Sequence, residues 1–348
     1  MAIVSTLIPR NRLKWLPGET RLAHEYCFFL HDQCARMLVE YEAASAHVVK
    51  VQFKDKAESR KFSKLAKAND VIAALRTLDR GSVARRVVLN NITMAMVSDC
   101  AHHLYESFRC FEKRKIVPGF NLLRKPLLDN LMYLSWMAAD EDDFYAAFSS
   151  GDPTRITQKI IGNRRKEIIA KAIGTTALAG VIDADDIVAI IFDSRNENGL
   201  YGLFQHAIHL VTVDRIEIKT SPENFNFIFK HPLDDDVYEA LYGLLPTVLL
   251  YMTHMMMVLF ERIESMDAGT RKALVFRSVN GYRFLESKND AAMLADTMGR
   301  HFSALAKCKT CGTALKVTLH NAARLLFTDA YRCTRCGRVW PFPFSWIF

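Results

Sequence analysis

Apolar positions recur three or four residues apart along most of the first two hundred residues. In residues 20–50 the series Leu22, Tyr26, Leu30, Cys34, Met37 and Tyr41 traces one face of a helix. Residues 82–114 repeat that period through Val88, Ile92, Met96, Leu104, Phe108 and Phe111. The charged stretch from Lys54 to Asp79 predicts a more exposed helix between them. Pro118 is placed to start a helix over 118–138. Pro126 should kink or split it, because proline has no N–H to give the ladder. The segment 140–152 reads as acidic and turn-rich, and helices follow over 153–173, 183–194 and 198–211.

The pattern changes after Val213. "DRIEIKT" and "NFNFIFKH" alternate polar and apolar residues, as a short hairpin does. A long apolar helix is predicted over 234–265. "KALVFRSVNGYRFLES" places Asn-Gly between β-like runs, which predicts a second hairpin or an irregular loop. A helix over 289–306 leads to the last segment. The fold class is therefore mainly α, a helical bundle with small β-hairpin insertions. Within it, Ala240–Phe260 is uncharged and long enough to span a bilayer. Pro246, Thr247, Thr253 and His254 interrupt the stretch and acidic "DDDVYE" precedes it, so it reads as a buried central helix and membrane association is not expected.

The C-terminal segment carries the sharpest chemistry. Two Cys-x-x-Cys pairs, Cys308/Cys311 and Cys333/Cys336, lie twenty-one residues apart. Each pair can present two thiolates on one side of a tight turn, and four thiolates make a closed tetrahedral zinc site. Gly312 and Gly337 follow the pairs and free the backbone to wrap the sulfurs. "ALKVTLH" and "RLLFTDAYR" between them look strand-like. The pattern is that of a zinc ribbon, which divides the chain into a helical domain, 1–300, and a ribbon with an apolar aromatic tail, 301–348. A closed site leaves no coordination position for substrate, so the zinc is structural. The tail, with Trp340, Phe342, Phe344, Trp346 and Phe348, is too apolar to stand in water and should pack on the helical domain or on another subunit.

Composition bounds the rest. In 348 residues there is room for about two domains, and half the residues are hydrophobic, which excludes global disorder. Cys27, Cys34, Cys100 and Cys110 fall in apolar helical stretches and read as buried thiols of a reducing compartment. "MAIVSTLIPRNRLKW" has too short an apolar run for a secretory signal, so the expectation is a cytoplasmic protein. The net charge of +8 permits nucleic-acid binding without establishing it. Its distribution says more: residues 307–348 hold seven Lys/Arg and one Asp, and remain near +4 after four thiolates and one zinc are counted. Lys309, Lys316, Arg332, Arg335 and Arg338 are the candidate phosphate contacts, on RNA or DNA. Other basic clusters begin at Lys61, Arg85 and Asn163, where a solvated helix face is the plain alternative.

Two further constellations could carry chemistry. Lys125 and Asp129 stand four residues apart in an apolar helix, as an internal salt bridge that fixes register or as part of a polar pocket. Tyr201, Gln205 and His209 recur at four-residue spacing, and histidine can move a proton near neutral pH. His206 and His209 could chelate a metal on a helix, but no carboxylate partner is evident. Motifs for nucleoside-triphosphate, dinucleotide, zinc-protease and serine-hydrolase chemistry are absent.

On these residues the chain resembles an all-helical bacterial family of unknown function, often encoded near phage-defence genes. One family mark reads Arg-x-x-x-Glu among leucines, the other Tyr-x-x-x-Ser-x-x-x-His. "KPLLDNL" is similar to the first through Lys125 and Asp129, and "YGLFQHAIH" to the second through Tyr201, Gln205 and His209. Lys replaces Arg, Asp replaces Glu and Gln replaces Ser. The likeness spans residues 80–265 and leaves the ribbon outside it. It implies an architecture like that of the HEPN helical ribonucleases, but their Arg-to-His motif is missing, since His206 lies too far after Arg195-Asn196.

Three functions follow as expectations. The first is a zinc-ribbon protein that binds nucleic acid within a prokaryotic anti-phage defence or toxin-type system. The second is a nuclease-like or nucleotide-modifying effector, with Tyr201 and His209 as acid and base, Lys125 as the anion-stabilising cation and Asp129 orienting it. The third is a structural subunit that docks a protein partner, or dimerises, through ribbon and tail.

Overall fold

In a computed structural model the chain is mainly α, with one two-stranded sheet among the described residues. It describes residues 7–68, 70–211, 220, 222, 223, 225 and 235–348. The helices are α1 (Arg10–Leu13), α2 (Arg21–Ala43), α3 (Lys56–Ala68), α4 (Val71–Thr77), α5 (Gly81–Glu112), α6 (Ile116–Arg124), α7 (Leu131–Ala139), α8 (Glu141–Phe148), α9 (Gln158–Gly162), α10 (Arg165–Gly174), α11 (Ala184–Ile191), α12 (Leu200–Ile208), α13 (Asp236–Ile263), α14 (Ala268–Glu286), α15 (Lys288–Phe302) and α16 (Leu319–Thr328). Strands β1 (Ala330–Arg332) and β2 (Val339–Pro341) pair antiparallel, with Tyr331 opposite Trp340. The hairpin expected across "DRIEIKT" and "NFNFIFKH" falls largely outside the described residues.

Helix α13 is the axis of the fold. Every residue from Val248 to Phe260 is buried, so the helix has no polar face to turn to water and must be surrounded. Helices α2, α5, α7, α10, α11 and α14 all pack against it. Although α13 is long and apolar enough to cross a bilayer, 78% of its most apolar window is buried inside the protein. The central helix read from the sequence is thus a core helix here. Beside it, a polar chain is buried between α2, α5 and α13. Tyr242 meets His24 Nδ1 at 2.5 Å, and His24 Nε2 lies 3.3 Å from Glu112. Arg12 and Arg109 complete the carboxylate's ion pairs. Burial holds His24 below its ordinary pKa, so the ring is neutral. Its Nε2–H then donates to Glu112, and its Nδ1 accepts from Tyr242. Burial also pushes the Cys34 and Cys100 thiols up to about 12, which marks both as unreactive; Cys110 is half-buried.

Several local expectations are corrected by packing. Segment 140–152 contains α8, capped by Asp140, whose side chain accepts from the Asp143 N–H; the acidic residues that suggested a turn fill the first helical turn, where the dipole favours them. The predicted hairpin at Asn280-Gly281 is instead the interior of α14. Asn280 Nδ2 donates back to the Phe276 carbonyl at 2.8 Å. Gly281 is there for close approach: a β-carbon would come within 2.8 Å of the Tyr26 ring and 3.1 Å of Phe327. Helix α16, Leu319–Thr328, runs through parts of "ALKVTLH" and "RLLFTDAYR", which read as strand-like. Thr318 caps it by accepting from the Asn321 N–H, and Ala322, Ala323, Leu325 and Leu326 fall on a buried helical face. Helix α16 packs on α2, α14 and α15, and Phe327 stacks on Phe29 with centroids 5.8 Å apart. The apolar core is therefore continuous across residue 301. The tail lies on the same core: Phe344 is fully buried among Phe276, Phe302 and Phe342.

Two stability predictions follow. Gly281→Ala should destabilise the protein by roughly 1–3 kcal/mol through overpacking, although alanine is the better helix former by about 1 kcal/mol. A urea midpoint equal to or above wild type would contradict this reading. The second concerns His254, which is buried and held down to about 4 by desolvation, with Nε2 2.9 Å from Ser278 Oγ. Between pH 4 and the unfolded value near 6.5 the unfolded chain binds the extra proton. Stability should therefore rise with pH across that window, by up to about 1.4 kcal/mol per unit from this group. Comparing urea midpoints of wild type and His254→Gln at several pH values isolates the slope; equal slopes would remove His254 as its source.

Candidate metal centre

The four cysteines named from the sequence converge. Their sulfurs all lie within 4.8 Å of one another. The two Cys-x-x-Cys turns repeat the same backbone scheme. Cys308 N–H donates to the Thr313 carbonyl at 2.8 Å, and Gly312 N–H donates to the Cys308 carbonyl at 2.9 Å. In the second turn Cys333 pairs with Arg338 at 2.8 Å and Gly337 with Cys333 at 2.9 Å. Gly312 and Gly337 have φ of +67° and +74°, a region only glycine enters freely. The glycines after each pair do what the sequence suggested.

The donor set fits a tetrahedral metal ion. Metal–thiolate bonds of about 2.3 Å put tetrahedral sulfurs about 3.8 Å apart. Cys308 and Cys336 sulfurs are 3.5 Å apart, and those of Cys311 and Cys333 are 3.6 Å apart. Both separations far exceed a disulfide bond of about 2.05 Å. Desolvation opposes ionisation of Cys308, but the Cys311 and Thr310 amides outweigh it and hold the thiol down to about 6. For Cys336 the Arg338 amide favours the thiolate, yet desolvation and the neighbouring sulfurs prevail and push it up to about 11. Four thiolates this close need a cation to ionise together.

The support around the cysteines was not legible beforehand. Asn321, 1% exposed, donates to the Lys316 carbonyl at 2.8 Å and the Arg332 carbonyl at 3.0 Å, and its Oδ1 accepts from Arg332 N–H at 2.8 Å. Tyr331 donates across to the Lys307 carbonyl at 2.9 Å. These two side chains tie the first turn to the second. The only sequence signal was a cap-like Thr318-x-x-Asn321, which begins inside a segment that reads as strand-like. Lys309, Lys316, Arg332, Arg335 and Arg338 are all exposed around the turns. Lys309 lies over the Trp340 ring at 5.7 Å, and Arg332 Nε donates to the Gly337 carbonyl at 3.0 Å.

The second candidate site is not assembled as read. Pro126 cannot donate to the Leu122 carbonyl, and Lys125–Asn130 widens into a π-helical turn. The register therefore shifts, and the assumed Lys125–Asp129 face does not form. Lys125 Nζ meets Asp99 at 2.7 Å, beside Asn130 Nδ2 at 2.6 Å from the same carboxylate, while Asp129 faces Arg124 at 3.9 Å. Helix α12 ends at Ile208. His209 follows it in extended conformation and is exposed, so it leaves the helical face that Tyr201 and Gln205 share. Tyr201 is half-buried, near the Arg165 guanidinium.

Together these features describe a mainly α protein with a four-cysteine, metal-compatible centre. Comparison with family models, with curated proteins and with solved structures finds no match. The resemblance to the helical bacterial family thus rests on the quoted residues alone.

Cys333→Ser should abolish high-affinity metal binding, because three thiolates leave the shell open. Helical circular dichroism should change little, since α16 keeps its packing on α2 and α14. Metal analysis by mass spectrometry of wild type and variant checks both halves; equal metal content would reject the site.

Proposed function

We propose that the four cysteines hold a structural zinc ion, and that the basic surface around them binds nucleic acid through its phosphates. Closed thiolate coordination favours zinc, and such a site contributes folding energy to a short segment. One observation carries the nucleic-acid reading. Among the described residues, none of Lys309, Lys316, Arg332, Arg335 and Arg338 forms an ion pair with a carboxylate. Other basic clusters are neutralised: Arg85 and Arg86 by Glu141, Arg164 by Asp143, and Lys166 by Asp185. The lysines of α3 also form no ion pair among the described residues, on a helix that buries none of its residues. Cations held on a stiff turn and left without carboxylate partners suit phosphate oxygens.

The cytoplasm, with its reducing thiol poise, is the compartment this reading requires. A place in an anti-phage defence or toxin-type system is proposed from the resemblance. The effector reading has less support, because Lys125, Asp129 and His209 are turned to separate surroundings. Docking of a protein partner through the tail is narrowed too, since Phe342 and Phe344 are already buried in the chain's own core.

Affinity for RNA or DNA should fall steeply with salt, with a log–log slope of about −4.5 if all five cations engage phosphates of a B-form duplex. Arg335→Ala and Lys309→Ala should each flatten that slope by about one and weaken all sequences alike. Mobility-shift titrations on single- and double-stranded RNA and DNA supply the test. Absence of binding to every form at low salt would end the proposal.

A further inference from the structure

A cleft of about 730 Å³ opens where the N-terminal ends of α2 and α13 meet the turn between α14 and α15. That size is ordinary for a small-molecule site, roughly 300–1,000 Å³. The α13 wall is built at the helix's own cost. Gly243 stands inside the helix, where glycine is worse than alanine by about 1 kcal/mol. Unlike Gly281, it serves no close packing: a β-carbon there would meet nothing within 4 Å. Three residues on, Pro246 has no N–H for the carbonyl of Tyr242, four residues back. Gly243, Pro246 and Tyr242 all line the same cleft. The Tyr242 hydroxyl is engaged inside the protein by His24, which fixes this wall in place.

The rim carries Glu19, Glu239 and Glu286 against one cation, Lys288. All three carboxylates are exposed, and among the described residues none is in an ion pair. They do not converge on a point, since among the described residues only the four cysteines gather closely enough to share one ion. Leu22, Pro246 and Leu285 supply apolar surface between them. The cleft therefore offers three separated carboxylate acceptors over an apolar floor.

We propose that this cleft binds a linear polyamine, a chain of ammonium groups separated by methylene segments. The ammonium groups donate to the carboxylates, and the methylenes cover the apolar floor. The site is independent of the basic cysteine turns and of what they bind.

Calorimetric titration of the full chain with spermidine at low ionic strength tests this. Saturable binding of one spermidine per chain is expected, with no response to uncharged 1,8-octanediol. Gly243→Leu keeps every charge and fills the open volume. It should retain helical circular dichroism and lose most of the affinity. Glu239→Gln combined with Glu286→Gln should weaken binding roughly tenfold or more. No saturable spermidine binding by wild type, or equal binding of octanediol, would overturn the proposal. So would wild-type affinity in Gly243→Leu, which would assign the heat to diffuse surface charge. Should the leucine variant fail to fold, undiminished binding by the double glutamine variant would overturn it equally.

Discussion

The ion pair between Arg277 and Asp329 is the contact on which the C-terminal third depends. Arg277 rises from the middle of α14, is 4% exposed, and lies over the Phe29 ring at 4.7 Å. Its Nε donates to the Leu326 carbonyl at 2.7 Å, and its Nη1 meets Asp329. One guanidinium thus satisfies the C-terminal end of α16 with charge of the favourable sign. Asp329 sits in the left-handed region at φ +47°, where α16 stops and β1 begins. Its carbonyl accepts from Phe342 N–H at 2.6 Å, and its Oδ1 accepts from Phe344 N–H at 3.2 Å. Helix, hairpin and tail are pinned through a single residue. Burial draws the Arg277 pKa down to about 10, with Asp329 opposing the shift. The pair costs desolvation, so its role is better read as fixing position than as adding net stability.

This clasp changes what the metal centre has to do. A short four-cysteine segment standing alone would owe its fold to the ion. Here α16 already has a buried face against α2 and α14, and Asn321 and Tyr331 bridge the two cysteine turns. The centre is left to fix the turns themselves, the part of the segment with the fewest apolar residues. A rigid turn holds exposed cations in constant relative positions. That is the condition under which unpaired charge reads phosphate spacing without first losing its own conformational freedom.

What could be read from sequence follows the range of the interaction responsible. The convergence of the four cysteines was legible because coordination chemistry dictates such a spacing, and the glycines after them because only glycine tolerates that backbone. Helix α13 was legible because an all-round apolar stretch has few destinations. Errors arose where distant residues decided. Asn280-Gly281 is a strong local turn signal, overridden because Tyr26 and Phe327 need the missing β-carbon. The α16 segment is too short for its apolar run to separate helix from strand. Lys125 and Asp129 were paired by counting four residues along a regular helix. Pro126 predicts a kink or a split, and the structure meets it with a π turn that shifts the register. Tyr201 and His209 were joined by the same counting, and the helix ends one residue too soon.

Charge is the property that sequence counts most easily and locates least well. The net +8 is not spread evenly, because much of the basic content of the helical domain is spent on carboxylates across helix contacts. Unpaired cations stand around the cysteine turns and unpaired carboxylates around the cleft, two surfaces of opposite sign. Helix α14 touches the surroundings of both. Its first half meets the tail and the Arg277–Asp329 clasp, and its last turn lines the cleft. A shared helix is not in itself a line of communication, which requires an element with two arrangements that each site biases. Gly281 and Arg277 bind α14 tightly to its neighbours and leave it one arrangement. The two surfaces should therefore act as independent sites held at a fixed separation, and any ligand of one would leave affinity at the other unchanged.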